Sequence, residues 1–241
     1  MLPAALFDQA LPYDAFMEKF GKPTDKPGTN EDGTGPSQAS LFAGGHFTDV
    51  QGLPAAHLAR WDGTAWSSLP QSPHWNSTGW APAVRSLVVC DEDGVGPLRE
   101  TLFVGGAVDV PLPSGSAAEL TARWDGTAWS ALAAGPSLHW TGAFEGNYVN
   151  SMAAWDEDGP GPNPSRLWIT GRFQVDWHEE NFAQVARWDG VSWTWPVGGT
   201  STSILGLAVF DVDGPEPPAL YATGTFTVAG GEIRKHIAKW D

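Results

Sequence analysis

Short apolar runs separated by Asp-Gly and Gly-Gly steps recur along the chain, and three phrases carry them. Leu58-Ala-Arg-Trp-Asp-Gly-Thr-Ala-Trp66 returns as Thr121-Ala-Arg-Trp-Asp-Gly-Thr-Ala-Trp129, as Val185-Ala-Arg-Trp-Asp-Gly-Val-Ser-Trp193, and in shorter form as Ile237-Ala-Lys-Trp-Asp241. A second phrase keeps step with it: Leu41-Phe-Ala-Gly-Gly45, Leu102-Phe-Val-Gly-Gly106, Leu167-Trp-Ile-Thr-Gly171 and Leu220-Tyr-Ala-Thr-Gly224. A third precedes the second: Leu87-Val-Val-Cys-Asp91, Met152-Ala-Ala-Trp-Asp156 and Leu207-Ala-Val-Phe-Asp211. Apolar and aromatic runs of this length, bounded by turn residues, read as strands. Each unit therefore predicts four short strands, and the repeat predicts an array of like units.

The turn residues agree. All seven Asp-Gly pairs fall at two positions of the repeat: Asp32-Gly33, Asp93-Gly94, Asp158-Gly159 and Asp213-Gly214 between the third and second phrases, and Asp62-Gly63, Asp125-Gly126 and Asp189-Gly190 inside the Trp phrase. Asp-Gly suits the positive φ values of a type I′ hairpin, so each pair predicts two antiparallel strands joined tightly. The expected fold is all-β, a β-propeller-like array of about four four-stranded antiparallel blades. Residues 1–40 form a separate N-terminal segment with a short helix and a linker, and 41–241 carry the repeats. The helix is expected over Asp14-Ala-Phe-Met-Glu-Lys-Phe20, stopped by Gly21 and Pro23, and the Pro- and Gly-rich stretch Lys22 to Gly35 reads as the linker.

Composition changes the picture chiefly by exclusion. The chain has 241 residues and a formal charge of −15, with Lys+Arg 13 against Asp+Glu 28. That balance repels a phosphate backbone and an anionic membrane, so nucleic acid is not expected as a partner. No run approaches 18 apolar residues and no basic n-region opens the chain, so neither membrane insertion nor a signal peptide is read. Cys90 is the single cysteine, in an apolar run, and reads as a buried thiol. No nucleophile elbow, P-loop or dinucleotide fingerprint occurs.

The order of an apolar strand, an aromatic strand ending in Gly-Gly, a strand with an aromatic-Asp pair and a Trp strand resembles the kelch repeat. The phrase Ala-Arg-Trp-Asp-Gly-x-x-Trp is also similar to repeats in uncharacterised bacterial secreted and surface proteins. The resemblance covers about residues 30–241; the glycine doublet becomes Thr170-Gly171 and Thr223-Gly224, and Trp stands where kelch repeats usually have Tyr. It implies blades at about 41–69, 84–132, 149–197 and 204–240, each with its first strand innermost, and an extracellular or cell-surface location. The first blade then lacks an inner strand, which Ala4 to Asp8 would supply, and the last lacks a fourth. Four-blade closure and completion by a second copy both follow from that shortfall.

Candidate chemistry lies in two places. Asp91-Glu-Asp93, Asp156-Glu-Asp158 and Asp211-Val-Asp213 present alternate carboxylates before a glycine, one way to hold calcium, while Asx-stabilised turns account for the same residues without metal. No cofactor is required; calcium is the one considered. The repeat-invariant Trp residues suit blade-to-blade packing, and Arg60, Arg123, Arg187 and Lys239 suit a carboxylate such as the neighbouring Asp. Variable segments at 46–56, 70–83, 107–119, 133–148 and 174–182 fall on one face, where binding is expected. They carry His74, Trp75, Trp80, His139, Trp140, Trp177 and His178. The leading functional expectation is a non-enzymatic structural or protein-binding scaffold whose partner is a protein or a second copy. A lectin-like, glycan-binding propeller is the alternative, and a polysaccharide hydrolase or lyase using Glu145, Glu179 and Glu180 comes last.

Overall fold

The computed structural model describes residues 40–70, 83–92, 101–112, 117–132, 148–159, 163–174, 182–194, 199–211 and 217–240. The chain divides into two units, Met1–Ala39 and Ser40–Asp241, and all described residues belong to the second. The helix, linker and inner strand expected before residue 40 lie outside them.

The described residues are all-β, without a helix. Strands β1 (Leu41–Gly44), β2 (Asp49–Val50), β3 (Leu53–Pro54), β4 (Leu58–Trp61) and β5 (Trp66–Ser68) give sheet A, ordered β1-β4-β5, with β2-β3 as a separate hairpin. Sheet B follows as a meander of β6 (Ala83–Cys90), β7 (Thr101–Pro111), β8 (Ala117–Trp124) and β9 (Trp129–Ser130). Sheet C repeats it with β10 (Tyr148–Trp155), β11 (Arg166–Gln174), β12 (Phe182–Trp188) and β13 (Trp193–Thr194). Sheet D has β14 (Ile204–Phe210), β15 (Ala219–Gly224) and β18 (Ile237–Lys239), with the hairpin β16 (Val228–Ala229) and β17 (Glu232–Ile233) between the last two. Every pairing is antiparallel.

The register repeats as closely as the sequence does. Leu41, Leu102 and Leu167 lie opposite Trp61, Trp124 and Trp188. The register of the first strand of sheets B, C and D shifts between Val84/Ser86, Val149/Ser151 and Ile204/Gly206, so Arg85, Asn150 and Leu205 are the bulged residues. Opposite the bulge sits the second glycine of each doublet. A Cβ on Gly106, Gly171 or Gly224 would run into the carbonyl oxygen of Ala83, Tyr148 or Ser203. The backbones cross too closely there for a side chain, so this glycine persists while the first gives way to Thr170 and Thr223.

Two turn expectations need correction. In the Trp phrase only the glycine has positive φ (Gly63 98°, Gly126 98°, Gly190 95°), so the turn is not type I′. The Asp side chain shapes it instead: Asp62 Oδ1 accepts from the Thr64 and Ala65 amides at 2.8 and 2.9 Å, and Asp125 and Asp189 do the same in their copies. Consecutive positive φ values occur at Gln51-Gly52 and Gly230-Gly231, which join β2 to β3 and β16 to β17. The connections from first to second strand are also longer than tight hairpins, running from Cys90 to Thr101, Trp155 to Arg166 and Phe210 to Ala219. Much of 107–119, expected to be irregular, is strand, because β7 and β8 stay paired out to Pro111 and Ala117.

The sheets stack in chain order. One apolar cluster joins A to B through Leu58, Val84, Leu102, Val104, Trp124 and Trp129. The next joins B to C through Cys90, Phe103, Val149, Met152, Leu167, Ile169, Trp188 and Trp193. The third joins C to D through Trp155, Trp168, Val185, Ile204, Leu220 and Phe226. Alternation along single strands produces this: Leu102 and Val104 point one way and Phe103 the other, as do Leu167 and Ile169 against Trp168. Both faces of B and C are thereby buried, and the first strand of C, β10, adjoins β6 on one side and β14 on the other. Sheets A and D share no apolar cluster among the described residues, so the array is open.

Candidate functional site

The acidic corner after each first strand is the described part of the expected chemistry. Asp91 and Asp211 directly follow β6 and β14, the first half-buried and the second exposed, while Asp93 and Asp213 lie outside the described residues. In sheet C both aspartates of the pair are described, and they meet. Burial raises the Asp156 pKa, and a hydrogen bond between its carboxyl and that of Asp158 raises it further. Burial also pushes Asp158 upward, but the Asn163 amide and side chain, 3.3 and 2.8 Å from Asp158 Oδ2, outweigh it and leave this pKa lowered. Asp156 Oδ1 and Asp158 Oδ1 are buried with no hydrogen-bond partner outside the pair, so two carboxyls crowd one corner. A cleft of about 400 Å³ opens beside the pair, lined by Trp155, Asp156, Gly159, Ser165, Val209 and Pro217 among others.

The middle residue of the Asp-Glu-Asp phrase has a different task, which inspection of the aspartates alone misses. Glu92 accepts from Arg123 Nη1 at 2.8 Å within sheet B and from Trp188 Nε1 at 3.0 Å in sheet C. Glu157 takes both oxygens to Arg187 Nη1 at 2.9 Å. Arg123 and Arg187 therefore pair with this glutamate rather than with the Asp beside them, which is occupied by its own turn. The signal was present in sequence, since Glu and Arg co-occur in these copies while Val212 and Lys239 replace both in the last.

Further polar links fasten each sheet to the next. Ser86 Oγ accepts from the Met152 amide at 2.9 Å, and Ser151 Oγ from the Leu207 amide at 3.1 Å. Cys90 Sγ lies 3.7 Å from the Ser165 carbonyl oxygen and Trp155 Nε1 2.8 Å from that of Pro218, the same link in two chemistries. Along the inner strands Arg85 Nη1 donates to Asn150 Oδ1 at 3.0 Å and covers the Tyr148 ring at 4.5 Å. Cys90 is buried, as expected.

No protein-family model, curated protein or solved structure matches this chain.

Among the described residues, no three His, Cys, Asp or Glu side chains converge as metal ligands. The proposed ligand face of His74, Trp75, Trp80, His139, Trp140, Trp177 and His178 lies outside the described residues. Two histidines not singled out in sequence occupy equivalent sites directly before β4 in A and β18 in D. His57 and His236 both have positive φ, 65° and 69°. Burial lowers the His57 pKa, a hydrogen bond with the Gly45 backbone opposes the shift, and His46, 5.9 Å away ring to ring, adds to it. His236 Nδ1 is 3.2 Å from the Gly224 carbonyl oxygen. These rings brace the turn into the third strand.

Proposed function

We propose that this chain is a non-enzymatic, propeller-type scaffold of the cell surface or extracellular space that binds protein through its variable segments. The observation that carries the reading is the employment of the repeat-invariant side chains. In sheets B and C the Trp pairs lie between sheets, the Arg and Glu residues are paired with each other, and the second glycine is fixed by a backbone crossing. What the repeat keeps constant therefore serves packing, and specificity is left to the segments that differ between copies. Face-to-face stacking with first strands adjoining supports a propeller-like order of sheets.

The test replaces 133–147 and 175–181, the stretches of those segments between the strands, by Gly-Ser linkers of equal length. The sheet signal in circular dichroism and the cooperative melt should persist, while capture of surface proteins seen with the parent chain is lost. Unfolding on replacement would overturn the division between scaffold and binding segments. Binding of the parent chain to a glycan array, lost in the same variant, would move the reading to a lectin.

Calcium is a second reading for one corner, favoured by the Asp156–Asp158 contact. Two crowded carboxyls, one of them with a raised pKa, would be relieved by a divalent cation. Bound calcium would raise the melting temperature and Asp158→Asn would abolish the rise, whereas a melt indifferent to calcium and chelator removes this reading.

A further inference from the structure

Each inner sheet has two distinct faces fixed by register. A leading face meets the preceding sheet and holds the Trp pair, Trp124 and Trp129 in B and Trp188 and Trp193 in C. A trailing face meets the following sheet and holds Cys90 and Phe103 in B, and Trp155, Trp168 and Val185 in C. The end sheets each turn one such face outward. By the same register the leading face of A carries Leu41, Ala43, Trp61 and Trp66, with both Trp residues half-buried and their rings 5.5 Å apart. The trailing face of D carries Ala208, Phe210, Tyr221, Ile237 and Lys239. Phe210 is 58% exposed where its counterparts Trp155 and Cys90 are 8% and 2%, and Ile237 is 56% exposed where Val185 is 6%.

We propose that the trailing face of sheet D receives the leading face of sheet A from a second copy of this chain, head to tail. The inference rests on the stacked-sheet scaffold reading and names its partner. Three junctions of this order already exist inside the chain, so the exposed pair of faces continues an established interface. The polar links also match by omission. Every inner trailing face offers a serine hydroxyl to the first strand of the next sheet, from Ser86 or Ser151. Sheet D has Gly206 at that position, and sheet A has no first strand among its described residues to require an acceptor. The donor of Cys90 and Trp155 is likewise replaced by Phe210, which has none to offer. The trailing face of D thus lacks the inter-sheet polar groups of B and C and offers Phe210, Tyr221 and Ile237, with Lys239 opposite Tyr221, to the Leu, Ala and Trp surface of A. Among the described residues the two faces share no apolar cluster and Phe210 stays exposed, which leaves the face of D open to a second copy. Two copies joined twice in this way form a closed cyclic pair.

The experiment is sedimentation velocity on the full chain over a range of concentration. A dimer is expected for the parent chain, and association should strengthen with salt because each copy carries −15. Phe210→Asp and Trp61→Asp should each sediment as monomers with the parent circular dichroism, Leu41→Lys standing in for Trp61→Asp if that variant fails to fold. Mixed together, the two monomers should form a one-to-one dimer, because the intact D face of one meets the intact A face of the other. A parent chain that is monomeric throughout overturns the proposal, as does dimerisation blocked by Phe210→Asp alone, which would mean D pairing with D. Failure of the two variants to recombine overturns it as well. None of these results bears on the loop-replacement test, so the two readings fail separately.

Discussion

Sheets C and D are built to one register and differ in what lies against them. Both have the bulge in the first strand, the glycine crossing opposite it and an aromatic pair at the end of the first hairpin, Trp155 with Trp168 and Phe210 with Tyr221. In C that pair is buried under the next sheet; in D nothing described covers it. The strand pairing, bulge and glycine crossing internal to a sheet survive in D, and the groups that reach across to a following sheet do not: Ser151 becomes Gly206 and Trp155 becomes Phe210. Repeat invariance in this chain therefore has two origins, strand pairing within a sheet and stacking between sheets. The end sheet separates them.

The largest expected effect lies in stacking. Trp188→Ala empties a buried site between B and C and should cost about 4 kcal/mol, the range for a large buried aromatic. Trp61→Ala, at the equivalent position of sheet A but half-buried, should cost less than half as much. Urea denaturation of both variants checks this, and equal losses would break the distinction between inner and end sheets.

A substitution confined to strand pairing should behave oppositely. Gly171→Ala and Gly224→Ala each drive a Cβ into the backbone of the first strand, for a loss of about 3 kcal/mol whether the sheet is inner or terminal. If only the inner variant is damaging, the crossing depends on stacking after all.

The repeat itself, the all-β class and the antiparallel pairing were legible because Asp-Gly punctuation and apolar runs are local signals. Stacking order was legible in part: invariant Trp residues pointed to packing, but which face each one takes depends on register, which the bulges at Arg85, Asn150 and Leu205 set and no local signal announces. The Asp-Gly turns were misjudged because a side-chain carboxylate can satisfy the turn amides without positive φ at Asp. The Gly230-Gly231 hairpin was readable from its doublet, whereas Gln51-Gly52 was not a strong signal. The role of Glu92 was not legible, because its partners Arg123 and Trp188 are distant in sequence.

Glu92 and Glu157 extend the comparison to polar contacts. Glu92→Ala strips the buried Trp188 Nε1 and Arg123 of an acceptor and should cost about 2 kcal/mol. Glu157→Ala removes a surface pair with Arg187 alone and should cost under about 1 kcal/mol. Equal losses would mean that the link to Trp188 adds nothing.

The smallest effect concerns pH, where the two acidic corners have opposite signs. Asp62 is held down to about 2, first by the Ala65 amide and then by Thr64. Its stabilisation is present above the unfolded value of about 4 and disappears as pH falls through about 2. Asp62→Asn keeps an acceptor for the turn amides and should flatten that acid limb. Asp156 runs the other way. Its raised folded pKa stabilises below the unfolded value, and that contribution is lost as pH rises through the raised value, leaving the crowded carboxylates at neutral pH. Asp156→Asn should therefore raise the melting temperature by about 1–2 °C at pH 7 and lose its advantage below about pH 4. The Asn side chain can donate to Asp158 without a titrating proton, so the gain should be flat above neutrality. A variant less stable than the parent at pH 7 would show that the Asp156 charge is welcome there, as it would be beside a bound cation, and would transfer this corner from strain to ligand binding.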